Sequence, residues 1–251
     1  MTYCVGIKVD TGLIFVSDSR TNAGVDQIST YSKMHTFGID GSRQFCLLTA
    51  GNLATSQAVV TQIRQDLDEA KPSNLATVGS MSDAADYVGA INVAQIQKFG
   101  GGPEYESSLI LGGQISGDNP RIMLIYPQGN HIRTSKTTPF MQIGESKYGK
   151  PILDRIIKGT TSLQYAAQCG LVSMDSTMRS NVTVGPPIEL MVYHADSFMM
   201  PAPITLEDDS EYLRELKRSW DQLLIDAFHQ LPPPAWASTW DGNRNQQQLQ
   251  D

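Results

Sequence analysis

The order of segments along the chain predicts an α+β fold, a four-layer αββα sandwich with two mostly antiparallel sheets between helical layers. Three observations predict it. Short strand patterns open the chain before any helical pattern, paired helical stretches then separate further groups of strands, and hairpin turns join most neighbouring strands. Hairpins make antiparallel ladders, so this order disfavours a parallel sheet wound with single alternating helices.

Residues 3–9 alternate apolar and mixed side chains, Asp10-Thr11-Gly12 supplies turn chemistry, and residues 13–16 are apolar again, which reads as an opening hairpin. A strand over 33–37, a turn at Gly38-Ile39-Asp40-Gly41 and a strand over 44–49 follow. Beyond Ala50-Gly51-Asn52 the period becomes helical: Leu53, Val60, Ile63 and Leu67 share one face up to Pro72, with Gln57 interrupting the stripe. Ser82 reads as the cap of a second helix that reaches Phe99 and stops at Gly100-Gly101-Gly102-Pro103. Strands are expected over 108–112, 121–126, 131–135 and 140–143, helices over 150–157 and 162–176, and a late strand over 188–194. Glu207-Asp208-Asp209 leads into an amphipathic helix over 211–229, where early acidic residues suit the helix dipole. Residues 1–230 are expected to form one domain. Pro232-Pro233-Pro234 and the Gln-rich stretch 243–250 cannot bury much apolar surface, so 231–251 reads as an extended tail.

Composition narrows the function. Hydrophobic residues make up 40% of the 251 and charged residues 18%, enough apolar material for a sizeable core. A net charge of -7 with no strong basic cluster argues against nucleic-acid binding, which rests on Lys and Arg displacing counterions. The start lacks a charged leader followed by an apolar run, and no stretch is apolar enough to span a bilayer, so a cytoplasmic location without membrane contact is expected. Cys4, Cys46 and Cys169 have neither metal-ligand nor redox spacing and read as buried free thiols. His35, His131, His194 and His229 share no spacing that suits a metal, so none is expected. Gly100-Gly101-Gly102 and Gly112-Gly113 lack both the phosphate-loop ending and the dinucleotide fingerprint, and read as turn glycines.

Thr2 stands directly behind Met1. A small second residue permits removal of the methionine, leaving one residue with both a hydroxyl and a free α-amine. A threonine hydroxyl is a poor nucleophile until something takes its proton, and an α-amine with a pKa of about 7.7–8.0 can do so near neutral pH. Many unrelated chains carry threonine there, so Thr2 alone decides little. The hairpin returns Asp18 beside Thr2, and a lysine held by Asp18 would set a positive charge near the amine and lower its proton affinity. Spacing alone favours a plainer alternative, an Asp18–Arg20 ion pair with Lys33 in solvent.

Six landmarks occur in order: Thr2, Val5-Gly6-Ile7-Lys8, the turn at Gly12, Ser17-Asp18-Ser19-Arg20, Lys33-Met34-His35, and Ala50-Gly51 before the first helix. On these the chain resembles the proteasome β-type peptidases, members of the N-terminal-nucleophile hydrolase superfamily, over about residues 2–193. Ser17-Asp18-Ser19-Arg20-Thr21-Asn22-Ala23-Gly24-Val25-Asp26 and Asp175-Ser176-Thr177-Met178-Arg179-Ser180-Asn181 are similar to the bacterial Anbu proteins within it. The resemblance implies Thr2 as nucleophile with its own amine as proton acceptor, Lys33 lowering the proton affinity there, Asp18 orienting Lys33, and the Gly51 N–H facing the oxyanion. In the family a serine after a late glycine helps hold the amino terminus. Here Gly144-Glu145-Ser146 puts Glu145 in that place and Ser146 one further on, which leaves both open. Asp175 matches the family's acidic partner, whereas the expected serine three residues later is Met178, with Ser180 the alternative after a local shift.

The resemblance further implies a threonine peptidase or amidase that cuts peptide or other amide bonds, needs no cofactor, and assembles from identical subunits into a ring or an open helix. The departures at Glu145 and Met178 equally admit a non-catalytic assembly scaffold. A small-molecule or isopeptide amidase is a further alternative, because fold does not fix function. Met199-Met200-Pro201, the apolar face of the last helix and the aromatic stretch 236–240 read either as core cover or as a surface that docks on a neighbouring subunit.

Overall fold

A computed structural model describes residues 1–22 and 28–237. Five strands form one sheet: β1 (Tyr3–Val9), β2 (Gly12–Asp18), β10 (Phe140–Gly144), β11 (Ile188–His194) and β12 (Ile204–Leu206), in the order β10-β1-β2-β11-β12. A second sheet holds β5 (Met34–Ile39), β6 (Arg43–Gly51), β7 (Ser107–Ile115), β8 (Arg121–Ile125) and β9 (His131–Arg133), in chain order. A separate ribbon pairs β3 (Arg20–Asn22) with β4 (Ile28–Thr30). Every pairing is antiparallel.

The period-2 alternation of strands sorts side chains between two cores. In β6, Cys46 and Leu48 join Cys4, Phe15, Ile110 and Met141 in the core between the sheets. The intervening Phe45 and Leu47 turn the other way, against Val59 and Ile63 of α1 (Leu53–Asp68) and Ala85 and Val88 of α2 (Met81–Lys98). On the far side of the first sheet, α4 (Leu163–Ser180) packs on β1 and β2 beside α3 (Lys150–Ile156). Gly170 of α4 lies so close to Val16 that a Cβ there would sit 2.9 Å from its methyl group. The layers are helix, sheet, sheet, helix, which is the predicted αββα arrangement.

The chain divides into two compact units, Met1–Ser210 and Glu211 onward. The second contains α5 (Glu211–His229), whose Leu223, Leu224, Ile225 and Phe228 are exposed. Residues 238–251, with the Gln-rich stretch and the end of the aromatic one, and residues 23–27 lie outside the described residues.

The structure departs from the sequence reading at element ends. The cap of α2 is Ser80, not Ser82, since the Ser80 side chain accepts the Asp83 N–H at 3.1 Å from an extended backbone. Strand β5 continues through Ile39, so the turn starts at Asp40. Helix α4 runs to Ser180 and closes with the Asn181 N–H on Thr177 O at 2.9 Å. The short strands β3, β4 and β12 are too brief to show an alternation in sequence.

One half-buried base in this frame, His35, sets a pH dependence. Burial, with Arg64 adding to it, lowers His35 on β5 from 6.5 to about 4. Between those values the unfolded chain binds a proton that the folded chain does not, so this stability is complete above about pH 6.5 and is lost as pH falls towards 4. His35→Gln is expected to flatten this part of the profile, seen as urea midpoints that fall less than the parent's between pH 7 and 4.

Candidate active site

Two strand turns and one long loop bring the site together. The β1–β2 register pairs Cys4 with Ser17, which sets the residue before Cys4 beside Asp18. The Tyr3 N–H donates to Asp18 Oδ1 at 3.0 Å, and the Gly185 N–H donates to Oδ2 at 3.3 Å. Lys33, just before β5, donates from Nζ to Asp18 Oδ1 at 2.7 Å and to the Arg20 carbonyl at 2.7 Å. Asp18 is fully buried and Lys33 is 5% exposed. Burial pushes the Asp18 carboxyl above the usual range, and the Lys33 ammonium with the two backbone donors pulls it back. The pair sits at the base of an open cavity of 330 Å³ whose wall includes Thr2, Lys33, Thr49, Gly51, Ser56 and Gly144.

Thr2 is held from behind and from one side. Tyr3 is fully buried, and its hydroxyl accepts from Gln142 Nε2 at 2.7 Å and lies 3.1 Å from Ser173 Oγ. The Glu145 N–H donates to the Thr2 carbonyl at 2.7 Å. Gly144 adopts a φ of 80°, and a Cβ on it would overlap that carbonyl oxygen. Gly51, at the end of β6, has a φ of 110°, and a Cβ there would run into the Glu106 carbonyl. Only glycine meets both demands at either position.

The amino group at the head of the chain is on Met1, which also lines the cavity. Burial lowers its proton affinity below the ordinary value, the Lys33 ammonium lowers it further, and the Asp18 and Glu145 carboxylates act the other way. Cys4 and Cys46, buried in the core beneath, are raised well above the ordinary thiol range by burial, and Cys169 is pushed up to about 12. None of the three supplies a thiolate near neutral pH. Among the described residues no cluster of three or more His, Cys, Asp or Glu is arranged to hold a metal ion, and no helix is long and apolar enough to cross a membrane.

The fold has known counterparts. The family model described as Proteasome subunit matches residues 2–193. The chain belongs to the proteasome subunit family. The solved structure of Anbu (ancestral beta-subunit) from Yersinia bercovieri is 44% identical, with a TM-score of 0.89 over 92% of this chain and 98% of that one. The helical assembly of the Anbu complex from Pseudomonas aeruginosa is 43% identical, with a TM-score of 0.88 over 94% of this chain and 99% of that one. Anbu from Hyphomicrobium sp. strain MC1 is 42% identical, with a TM-score of 0.86 over 93% and 99%. No curated protein matches the chain. Both the proteasome-type resemblance and the fold expected from the sequence are borne out.

Within this proteasome-family frame, the structure gathers Thr2, Lys33 and Gly51 around one cavity, with Asp18 directly beneath through Lys33. The alternative of a solvated Lys33 is excluded by its burial and its two short bonds. Ser146 and Asp175 are not among the residues that line the cavity. Ser146 engages through its backbone, donating to Gly144 O at 3.0 Å and accepting from Gln142 Nε2 at 3.2 Å, and Asp175 is buried on α4. Ser180 is exposed at the end of α4, and it is the next residue, Asn181, that reaches the site by donating Nδ2 to Glu145 Oε2 at 3.1 Å. Asn181 stood in the sequence only as the end of the Anbu-like stretch, without a role, and the cavity-wall residues Thr49 and Ser56 carried no signal there, because only the folded sheets bring them to the site.

Breaking the buried pair on one side strands a charge. Lys33→Met is expected to cost about 3–5 kcal/mol in urea unfolding. Adding Asp18→Asn recovers part of it; a single-variant cost below about 1 kcal/mol contradicts the pairing.

Proposed function

We propose that the chain is an N-terminal threonine hydrolase that cuts peptide or related amide bonds once Met1 has been removed. The observation that carries this reading is the buried Lys33–Asp18 pair at the base of the cavity that Thr2 and Gly51 line. Loss of Met1 moves the α-amine onto Thr2, so nucleophile and base become parts of one residue. The Lys33 ammonium then keeps that amine neutral at lower pH than a free terminus, and Asp18 holds Lys33 in place.

In the first half-reaction the Thr2 hydroxyl gives its proton to the α-amine while Oγ attacks the amide carbon. The resulting oxyanion faces the Gly51 N–H, an interaction whose loss in other hydrolases costs about 3–4 kcal/mol of transition-state stabilisation. Collapse of the tetrahedral intermediate breaks the C–N bond, and the α-ammonium returns its proton to the leaving amine. Water, deprotonated by the same α-amine, then attacks the Thr2 ester, the C–Oγ bond breaks, and the α-ammonium returns the proton to Oγ as the acid is released. Protein atoms and water balance every step. Ser146 shapes the turn after β10 through its backbone bonds, and Asp175, buried on α4, keeps the place of the family's acidic partner.

Identical subunits are the proposed partners, in a ring or an open helix. The Pseudomonas aeruginosa relative forms a helical assembly, and the exposed apolar residues of α5 give this chain a surface suited to subunit contact. Retention of Met1 would instead block the base and favour a scaffold role.

Mass spectrometry of the purified protein is expected to find a chain that starts at Thr2. Thr2→Ala should lose amide hydrolysis by about a thousandfold or more with its fold and assembly unchanged. Full hydrolysis by Thr2→Ala, or by protein that retains Met1, overturns the reading.

A further inference from the structure

Five cations that no basic run brings together in the sequence are gathered by the fold around a pair of clefts. Lys8 stands near the end of β1, Arg121 opens β8, Arg133 ends β9, Lys136 sits in the loop that follows, and Lys158 lies between α3 and α4. The β8–β9 register pairs Met123 with Arg133, and the Thr134 N–H continues it by donating to Ile122 O at 3.1 Å, which brings Ser135 level with Arg121. The Ser135 N–H donates to Thr138 O at 3.0 Å, and the Lys8 N–H to Pro139 O at 2.7 Å. The Asp10 N–H on Gly159 O, at 2.7 Å, draws in the segment that carries Lys158. Backbone bonds thus hold each strand end and loop that presents a cation.

One cleft, of 430 Å³, is lined by Lys8, Arg121, Arg133 and Thr134 among others. Its neighbour, of 520 Å³, shares Lys8, Thr134 and Ser135 with it and adds Lys136, Lys158 and Asp10. Neither shares a lining residue with the cavity at Thr2, and Lys8 comes six positions after Thr2, about 20 Å along an extended strand. Among the described residues, Lys8, Arg133, Lys136 and Lys158 form no ion pair. Arg121 gives Nη2 to Asp118 Oδ1 at 3.2 Å, but its Nε is buried with no hydrogen-bond partner. A buried donor of that kind destabilises the protein until something accepts from it. Asp10 in the second cleft and Asp118 beside Arg121 are the carboxylates at the site, so cations outnumber them five to two in a chain whose net charge is -7. A local positive surplus on an acidic protein concentrates anions there.

We propose that the paired clefts bind a chain of linked phosphoryl groups, with Arg121 and Arg133 holding one end, Lys8 the middle, and Lys136 and Lys158 the other end. The guanidinium fork matches two oxygens of one phosphoryl group, whereas an ammonium acts as a point charge that tolerates any oxygen. Two arginines in one cleft and two lysines in the next therefore suit successive groups of a chain better than a single ion. The Thr134 hydroxyl adds a neutral donor where the clefts meet. None of the residues that line them is aromatic, so a nucleoside carried on the chain finds no ring to stack on.

Isothermal titration calorimetry of the full-length assembled protein with sodium triphosphate tests this. Saturable binding at one site per chain is expected, weakening as salt rises from about 50 to 200 mM, and orthophosphate should bind at least about tenfold more weakly. Lys8→Gln combined with Arg133→Gln is expected to weaken triphosphate by about tenfold or more. Lys98→Gln combined with Lys217→Gln removes the same charge from exposed positions on α2 and α5 and should leave binding unchanged. Arg133→Gln alone, at an exposed strand end, should still weaken binding by about threefold or more and serves if the double variant does not fold. ATP is expected to bind no tighter than triphosphate; tighter binding by about tenfold assigns the phosphoryl chain to a nucleotide. Absence of saturable binding, equal losses in the two double variants, or orthophosphate or citrate matching triphosphate overturns the proposal. No readout here involves amide hydrolysis, so the result is independent of the function proposed for Thr2.

Discussion

An ammonium and a carboxylate removed from water hold the amino-terminal end of this protein together. Desolvating two ions costs several kcal/mol each, and their mutual attraction offsets that only if the remaining donors and acceptors are satisfied. Here they are. Asp18 takes Lys33, the Tyr3 N–H and the Gly185 N–H, while Lys33 also bonds the Arg20 carbonyl. Each of these bonds ties a different segment to one point, so the pair fixes β1, β2, the start of β3 and the loop before β11 at once. Such a pair contributes less to net stability than to placing a positive charge beside the head of the chain.

The sandwich exists, from the viewpoint of the site, to keep that point dry and rigid. Phe15, Cys46 and Ile110 fill the space between the sheets under β1, and Tyr3 anchors the strand to Ser173 on α4 and Gln142 on β10. Two glycines at positive φ border the cavity: Gly144 lets backbone approach the Thr2 carbonyl, and Gly51 lets β6 approach the Glu106 carbonyl, where any side chain would collide. The cavity next to this constellation has a volume of 330 Å³ and is lined by Thr2, Lys33 and Gly51.

Features governed by local chemistry were legible in the sequence. The opening hairpin, β11 and the last helix follow from alternation, turn residues and an acidic first turn, and their observed bounds agree closely with those read from the chain. Six short landmarks in order carried the proteasome-type resemblance, which the match over residues 2–193 bears out. The cap at Ser80 escaped because two serines compete within three residues, and only the backbone angle decides between them. Contacts between distant segments were not legible either: Asp18 with Gly185 spans 167 residues, and Glu145 with Asn181 spans 36. Local pattern says nothing about such pairs, and they are the ones that surround Thr2.

The most direct measurement is a crystal structure of the assembled protein after reaction with an acylating inhibitor of amide hydrolases. The account predicts continuous density from Thr2 Oγ to the inhibitor carbonyl, the carbonyl oxygen within hydrogen-bond reach of the Gly51 N–H, and Lys33 Nζ beside the modified residue. An adduct on any other side chain, or a leading residue turned out to bulk water in every copy, contradicts it.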